Sequence, residues 1–124
     1  MDLTAEECLI HGNIKFNLND HEAAMEYYNR AIELKQEYAE AHYNRGVVNY
    51  AIKRYPEALE DYNKAIKIAP DFTQVYLNSG NTYHFLNNHL SAIENYTRVI
   101  DLAPQDFQPY SARGDTYLIF EEFP

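Results

Sequence analysis

The sequence repeats itself every 34 residues, and this period limits the possible folds more than any other feature. All four glycines of the chain follow it: Gly12, Gly46, Gly80 and Gly114. Three more columns keep one residue type at the same spacing: Ala24, Ala58 and Ala92; Tyr28, Tyr62 and Tyr96; Ile32, Ile66 and Ile100. A fixed period of this length is typical of chains that stack one small structural unit.

The columns divide the chain into five segments: an N-terminal cap at 1–4, three full units at 5–38, 39–72 and 73–106, and a partial unit at 107–124. Apolar residues recur at steps of three and four within each unit, which is the period of an amphipathic helix and not of a strand. Thr4 and Glu7 form a capping-box pattern before the first helix, and Pro70 and Pro104 mark breaks between units. The sequence therefore predicts three helix hairpins followed by one more helix.

In each predicted hairpin, the first helix carries a glycine, and the second helix carries an alanine and a tyrosine at fixed positions. Gly46 and Ala58 would let two helix backbones approach closely, and Tyr62 would fill the space beside them. We therefore expect the tyrosines at 28, 62 and 96 to be core residues.

These residues resemble the tetratricopeptide repeat, a 34-residue pattern with a large residue, Leu-Gly and Tyr, and later Ala, an aromatic residue and Pro. Residues 39–72 follow it closely, and the resemblance covers residues 5–124. It implies an all-α, right-handed solenoid of helix-turn-helix repeats, with three complete units and one additional helix. The chain departs from the pattern where leucine should precede glycine, and holds His11, Arg45, Ser79 and Arg113 there. We expect these residues to weaken packing locally.

Composition excludes several kinds of function. The net charge of −9 has the wrong sign for nucleic-acid phosphates, and no apolar stretch is long enough to span a membrane. Cys8 and His11 are spaced for a thiolate–imidazole pair, but no third catalytic group accompanies them, and a packing role for Cys8 is the better interpretation. The histidines show no metal-ligand spacing. The sequence thus implies no enzyme activity, no metal and no cofactor.

The resemblance implies protein–protein interaction, with an extended peptide bound on the concave face of the first helices. The residues that it places on this face as candidate contacts are Asn13, Glu40, Tyr43, Asn44, Leu77, Asn78 and Asn81. Asparagine offers both a donor and an acceptor to a peptide backbone. Asparagine is also frequent at such positions for structural reasons.

Some members of the family hold acidic chaperone tails with a clamp of two lysines, one arginine and two asparagines. Asn13 and Asn44 match the asparagines, whereas Leu9, Gln74 and Asn78 stand where the cations should be. We therefore expect a neutral or basic protein segment as partner, and poor binding of acidic tails.

An alternative function is structural. The helix predicted at 107–123 lacks a hairpin partner and carries Leu118 and Phe120, so the chain can be a self-associating segment of a longer repeat protein. A weak homo-oligomer is expected on this basis, and a catalytic domain outside these residues is compatible with it. The single cysteine and the absence of a signal-like N-terminus predict a cytoplasmic location.

Overall fold

The computed structural model describes residues 2–102, which form six helices and no strand. The helices are α1 (Ala5–Asn17), α2 (His21–Leu34), α3 (Ala39–Ala51), α4 (Tyr55–Ile68), α5 (Thr73–Phe85) and α6 (His89–Leu102). The chain divides into two compact units, Met1–Pro70 with α1 to α4, and a second that begins at Asp71 and includes α5 and α6. The predicted all-α solenoid of helix hairpins is confirmed. The partial unit at 107–124 lies outside the described residues.

The first helix begins at the predicted capping box. The backbone N–H of Glu7 donates to Oγ1 of Thr4 at 3.1 Å, and the N–H of Thr4 donates to Oε1 of Glu7 at 2.9 Å. Asp20 caps α2 by accepting a hydrogen bond from the N–H of Ala23 at 3.1 Å. These bonds satisfy donors that a helix N-terminus otherwise leaves unpaired. Local sequence therefore defines the start of both helices in the first hairpin.

One residue in the turn of each hairpin has a left-handed backbone. These residues are Asn19, Lys53 and Asn87, with φ of 61°, 65° and 61°. Two rings are in tilted or edge-on contact across each of these turns: Phe16 and His21, Tyr50 and Tyr55, and His84 and His89, with centroids 5.6, 5.5 and 5.7 Å apart. The three turns thus share one geometry although their residue types differ.

A glycine on the first helix of each hairpin lies against a tyrosine ring from the second helix. A Cβ atom added to Gly46 would lie 2.6 Å from Cε1 of Tyr62 and 3.2 Å from the backbone oxygen of Ala58. The three tyrosines of this column, Tyr28, Tyr62 and Tyr96, are 2%, 0% and 2% exposed. The prediction that they are core residues is confirmed.

Each unit has its own apolar core. In the first unit, Ala41 and Val48 of α3 are both fully buried against the first hairpin. That cluster consists of Cys8, Leu9, Ala24, Tyr28, Ala31, Ala41 and Val48. In the second unit the core cluster is formed by Leu77, Ala92, Tyr96 and Val99. Within the first unit, α3 therefore covers one side of the hairpin formed by α1 and α2.

Arg45 connects the two helices of the second hairpin. Its Nη2 and Nε donate to Oδ1 of Asp61 at 2.7 and 3.0 Å, and Asn49 Nδ2 donates to Oδ2 of the same carboxylate at 2.9 Å. In the first hairpin the same two columns hold His11 and Tyr27, whose rings stack 5.3 Å apart. An ion pair thus joins α3 to α4 at a position where the repeat pattern has leucine. The expectation that a polar residue before the glycine weakens packing stays a prediction.

Candidate functional site

The first unit places two of the predicted contact residues in one hydrogen-bonded pair. Nδ2 of Asn44, on α3, donates to Oδ1 of Asn13, on α1, at 2.9 Å. The hydroxyl of Tyr28 donates to the same oxygen at 2.5 Å. Asn13 and Asn44 are both half-buried. We call Asn13 and Asn44 the amide pair.

Tyr28 determines which way the amide pair faces. Burial raises the pKa of the Tyr28 hydroxyl to about 12, so this group remains a hydrogen-bond donor at neutral pH. Because Oδ1 of Asn13 accepts two hydrogen bonds, the amide nitrogen of Asn13 points away from them. Within the described chain, this nitrogen and Oδ1 of Asn44 bond to no protein group. The amide pair can therefore offer a ligand one donor and one acceptor.

Two further predicted residues lie beside Asn44 on α3. Glu40 is exposed in the first turn of the helix. Tyr43 is half-buried, and its ring lies 6.0 Å from that of Tyr62 with a tilt of 35°. The α3 surface next to the amide pair thus combines an aromatic ring with a negative charge.

The second unit contains the remaining predicted residues, all on α5. Oδ1 of Asn81 accepts a hydrogen bond from the hydroxyl of Tyr96 at 2.6 Å, which repeats the contact between Tyr28 and Asn13. Oδ1 of Asn78 accepts one from Nε2 of Gln74 at 3.1 Å. Leu77 is only 7% exposed and belongs to the core cluster with Tyr96, so most of its side chain serves packing.

The role of the tyrosine hydroxyls was not predicted from the sequence, which assigned these rings to the core alone. A signal for it exists, because Asn13 precedes Tyr28 by 15 residues and Asn81 precedes Tyr96 by the same number. In the middle repeat the corresponding residue is Val47. The spacing could therefore have identified the oriented asparagines.

The position of the first clamp cation is filled by an apolar side chain. Leu9 is 5% exposed and packs in the core cluster beside Cys8. A charged side chain there would have to leave the core or be desolvated within it. The α1 surface next to Asn13 therefore offers no cation at this position.

The conceivable catalytic pair on α1 has the wrong environment for a nucleophile. Cys8 is 1% exposed, and burial raises the pKa of its thiol, which disfavours the reactive thiolate. His11 stacks on Tyr27 instead. Within residues 2–102, no group of three or more histidine, cysteine or acidic side chains is arranged to hold a metal ion. No helix in this part of the chain is long and apolar enough to cross a membrane.

Residues 39–72 and 73–106 each match a protein-family model described as "Tetratricopeptide repeat". Residues 12–53 match a model described as "TPR repeat". None of the curated proteins compared with the chain matches it.

Solved structures match the chain over most of its length. The first TPR of Spaghetti (RPAP3) bound to the HSP90 peptide SRMEEVD has a TM-score of 0.92 and 20% identity, over 95% of this chain and 94% of that one. The Arabidopsis OM64 TPR domain has a TM-score of 0.88 and 22% identity, over 92% of this chain and 94% of that one. MamA has a TM-score of 0.88 and 26% identity, over 91% of this chain and 66% of that one. Together with the matches along residues 12–106, the helix hairpins show that the chain belongs to the tetratricopeptide repeat family.

Proposed function

We propose that the chain binds an extended segment of a partner protein across the surface of α1 and α3 that carries the amide pair. The fold supports an interaction scaffold, and a structural neighbour binds a peptide. The observation that carries the proposal is the shared hydrogen bond acceptor, Oδ1 of Asn13, which holds both amides in one orientation.

The amide pair has the polarity of a peptide unit. The Nδ2 group of Asn13 can donate to a ligand carbonyl, and Oδ1 of Asn44 can accept from a ligand N–H. Because Tyr28 and the contact between the two asparagines already fix these groups, binding costs little further side-chain entropy. The peptide groups of an extended ligand form no hydrogen bonds with one another, so such a ligand can bond to both asparagines. Glu40 and Tyr43 add a charge and a ring beside them.

We propose a neutral or basic segment as the ligand. Glu40 is exposed near the amide pair, whereas Leu9 is apolar and buried where clamp-type relatives carry a cation. In the second unit, Gln74 and Asn78 occupy the other two cation positions and bond to each other. A carboxylate-rich ligand would lose its hydration at these places without gaining an opposite charge. The clamp-type mode is therefore not proposed for this chain.

Selection from a displayed library of random heptapeptides tests both the binding mode and the charge preference. We expect enriched sequences to be depleted of Asp and Glu, and Asn44→Ala to weaken their binding by about 2- to 12-fold, the value of one hydrogen bond. Asn63→Ala, at an exposed asparagine of α4, is the matched control and should leave binding unchanged. Fluorescence anisotropy gives the affinities. Micromolar binding of SRMEEVD that is lost in Asn13→Ala and Asn44→Ala would refute the charge preference.

The remaining parts of the proposal rest on the sequence. Self-association through the helix predicted at 107–123 stays a prediction, as does attachment to a longer protein. The single, buried Cys8 supports a reducing, cytoplasmic location and a non-catalytic role. The acidic composition supports a protein partner and neither nucleic acid nor membrane.

A further inference from the structure

A stripe of apolar side chains is exposed on α1. Ile10, Ile14 and Leu18 follow one another at four-residue steps, Leu18 being the residue directly after the helix, and they are 57%, 49% and 68% exposed. Residues four apart lie on the same side of a helix. Three large apolar side chains exposed side by side mark an interaction surface more strongly than the same residues scattered singly. We call these three residues the α1 stripe.

The second repeat shows how this fold covers the corresponding surface. Val48 stands 34 residues after Ile14, at the same position of the repeat, and is 0% exposed. It is buried by the first hairpin, in a cluster that includes Tyr28 and Ala31 of α2. Within the described chain, nothing similar covers Ile14. A helix therefore covers the position that matches the middle of the α1 stripe, whereas the residues that match Ile10 and Leu18, Asn44 and Ile52, are half-buried and 37% exposed. We take a helix as the shape that fits the stripe around Ile14.

The surface at the N-terminal end of the stripe is acidic, whereas Lys15 lies near its other end. Glu6 and Glu7 are exposed on the turn before Ile10, and Glu7 stands where α3 has the fully buried Ala41. Hydrogen bonds from Thr4 lower the pKa of the Glu7 carboxyl, so that it is charged at neutral pH. A further repeat packed as the first hairpin packs on α3 would have to bury this charge, which is unfavourable. A second copy of the chain would bring another net charge of −9 to an acidic surface.

We propose that the α1 stripe docks an amphipathic helix of another protein, with apolar side chains over Ile10, Ile14 and Leu18 and lysine or arginine over Glu6 and Glu7. The apolar contact supplies most of the affinity, because it removes exposed hydrocarbon from water. The basic end sets the direction of the helix and steers association. Ile10 lies three residues before Asn13 on α1, so the α1 stripe borders the amide pair without including it. The inference does not depend on the peptide selection above.

The probe is a synthetic helical peptide with leucine at every third and fourth residue and lysines at one end. Its twin carries glutamates at that end. We expect the lysine peptide to bind and the glutamate twin to bind at least about fivefold more weakly. In heteronuclear NMR spectra, the lysine peptide should shift the amide signals of Ile10, Ile14 and Leu18. Ile14→Gln with Leu18→Gln should weaken binding by about tenfold or more, without changing the net charge.

The matched control replaces two exposed leucines elsewhere, Leu34→Gln with Leu90→Gln, which are 45% and 64% exposed in the wild type. It should bind the peptide as the wild type does, and equal melting temperatures of the two variants would show that both are folded. Equal weakening in both variants, or no binding by the wild type, would overturn the proposal. Sedimentation showing a wild-type dimer that the stripe variant loses would also overturn it, since a second copy would then be the occupant.

Discussion

Lys53 shows, at the scale of one residue, that the turn geometry is imposed by the hairpin and not by the side chain. Its N–H donates to the backbone oxygen of Tyr50 at 3.0 Å, and the next N–H, of Arg54, donates to that of Asn49 at 2.8 Å. These are backbone contacts, so any residue type can make them. A left-handed backbone nevertheless costs an ordinary L-residue about 1–2 kcal/mol, and asparagine tolerates it better. Lys53 is therefore the strained member of its column.

We expect Lys53→Asn to raise the free energy of unfolding by about 0.5–1 kcal/mol, because the strain is relieved and no contact is lost. The reverse change in the first turn, Asn19→Lys, should lower it by a similar amount. Lys67→Asn, at an exposed position of α4, controls for removal of a positive charge from this acidic chain. Urea denaturation measures all three. Changes of the same sign at Lys53 and Asn19 would show that the backbone conformation is not the cause.

At the scale of elements, the ion pair between Arg45 and Asp61 joins α3 to α4. Asp61 is more deeply buried than Arg45. The Asp61 side chain is 6% exposed and that of Arg45 is 28% exposed. Arg45 also reaches α2, because its Nη1 donates to Oδ1 of Asn29 at 3.1 Å. If Asp61 is removed, the guanidinium keeps Asn29 and water, whereas without Arg45 the carboxylate keeps only Asn49. The buried carboxylate of Asp61 thus depends on Arg45 for its counter-charge, whereas the more exposed guanidinium depends less on Asp61.

Arg45→Ala should therefore destabilise the chain by about 3–5 kcal/mol, since it leaves a buried charge without its counter-ion. We expect Asp61→Ala to cost less, and Arg45→Leu with Asp61→Leu to come close to the wild type, because an apolar pair needs no desolvated charge. Lys64→Ala, at an exposed residue of α4, is the control. Chemical denaturation gives the free energies. Additive and equal losses from the two single changes would contradict this account.

At the scale of the whole molecule, the single cysteine of the chain, Cys8, lies in the core of the first unit. The rate at which its thiol reacts therefore measures how often that core becomes exposed to solvent. Cys8 is 1% exposed in the cluster that α1, α2 and α3 share. Tyr62, in α4, packs in the second hairpin and belongs to the same unit. If neighbouring repeats open together, a destabilising change at Tyr62 will increase the exposure of the Cys8 thiol, although the two residues lie in different hairpins.

We expect a thiol reagent such as Ellman's to modify Cys8 slowly, because burial hides the sulfur and raises the pKa of the thiol. Tyr62→Ala removes a buried aromatic ring worth about 3–5 kcal/mol and should accelerate labelling by roughly a hundredfold or more. Asn63→Ala, the neighbouring exposed residue, should leave the rate unchanged. Fast labelling of the wild type would revive the catalytic interpretation of Cys8. A Tyr62→Ala rate equal to that of the wild type would mean that the hairpins open separately.

The sequence by itself determined the features that repeat. The 34-residue period determines the hairpins and the contact between Gly46 and Tyr62, because each recurs in all three described repeats and depends on residues at fixed positions of the repeat. The capping box at Thr4 is likewise local. Such features are visible in a single chain because the repeats serve as comparisons for one another.

Only the tertiary structure decided the contacts that do not recur from one repeat to the next. The amide pair joins residues 31 apart, and Arg45 finds Asp61 16 residues away, so neither contact follows from the period or from helical spacing. Exposure was also undecided in the sequence. Leu77 is buried although the family resemblance placed it on the binding face, and Ile14 is exposed although Val48 at the same repeat position is buried. The physical reason is that burial depends on what packs against a helix, whereas the periodic sequence specifies only which side of the helix is apolar.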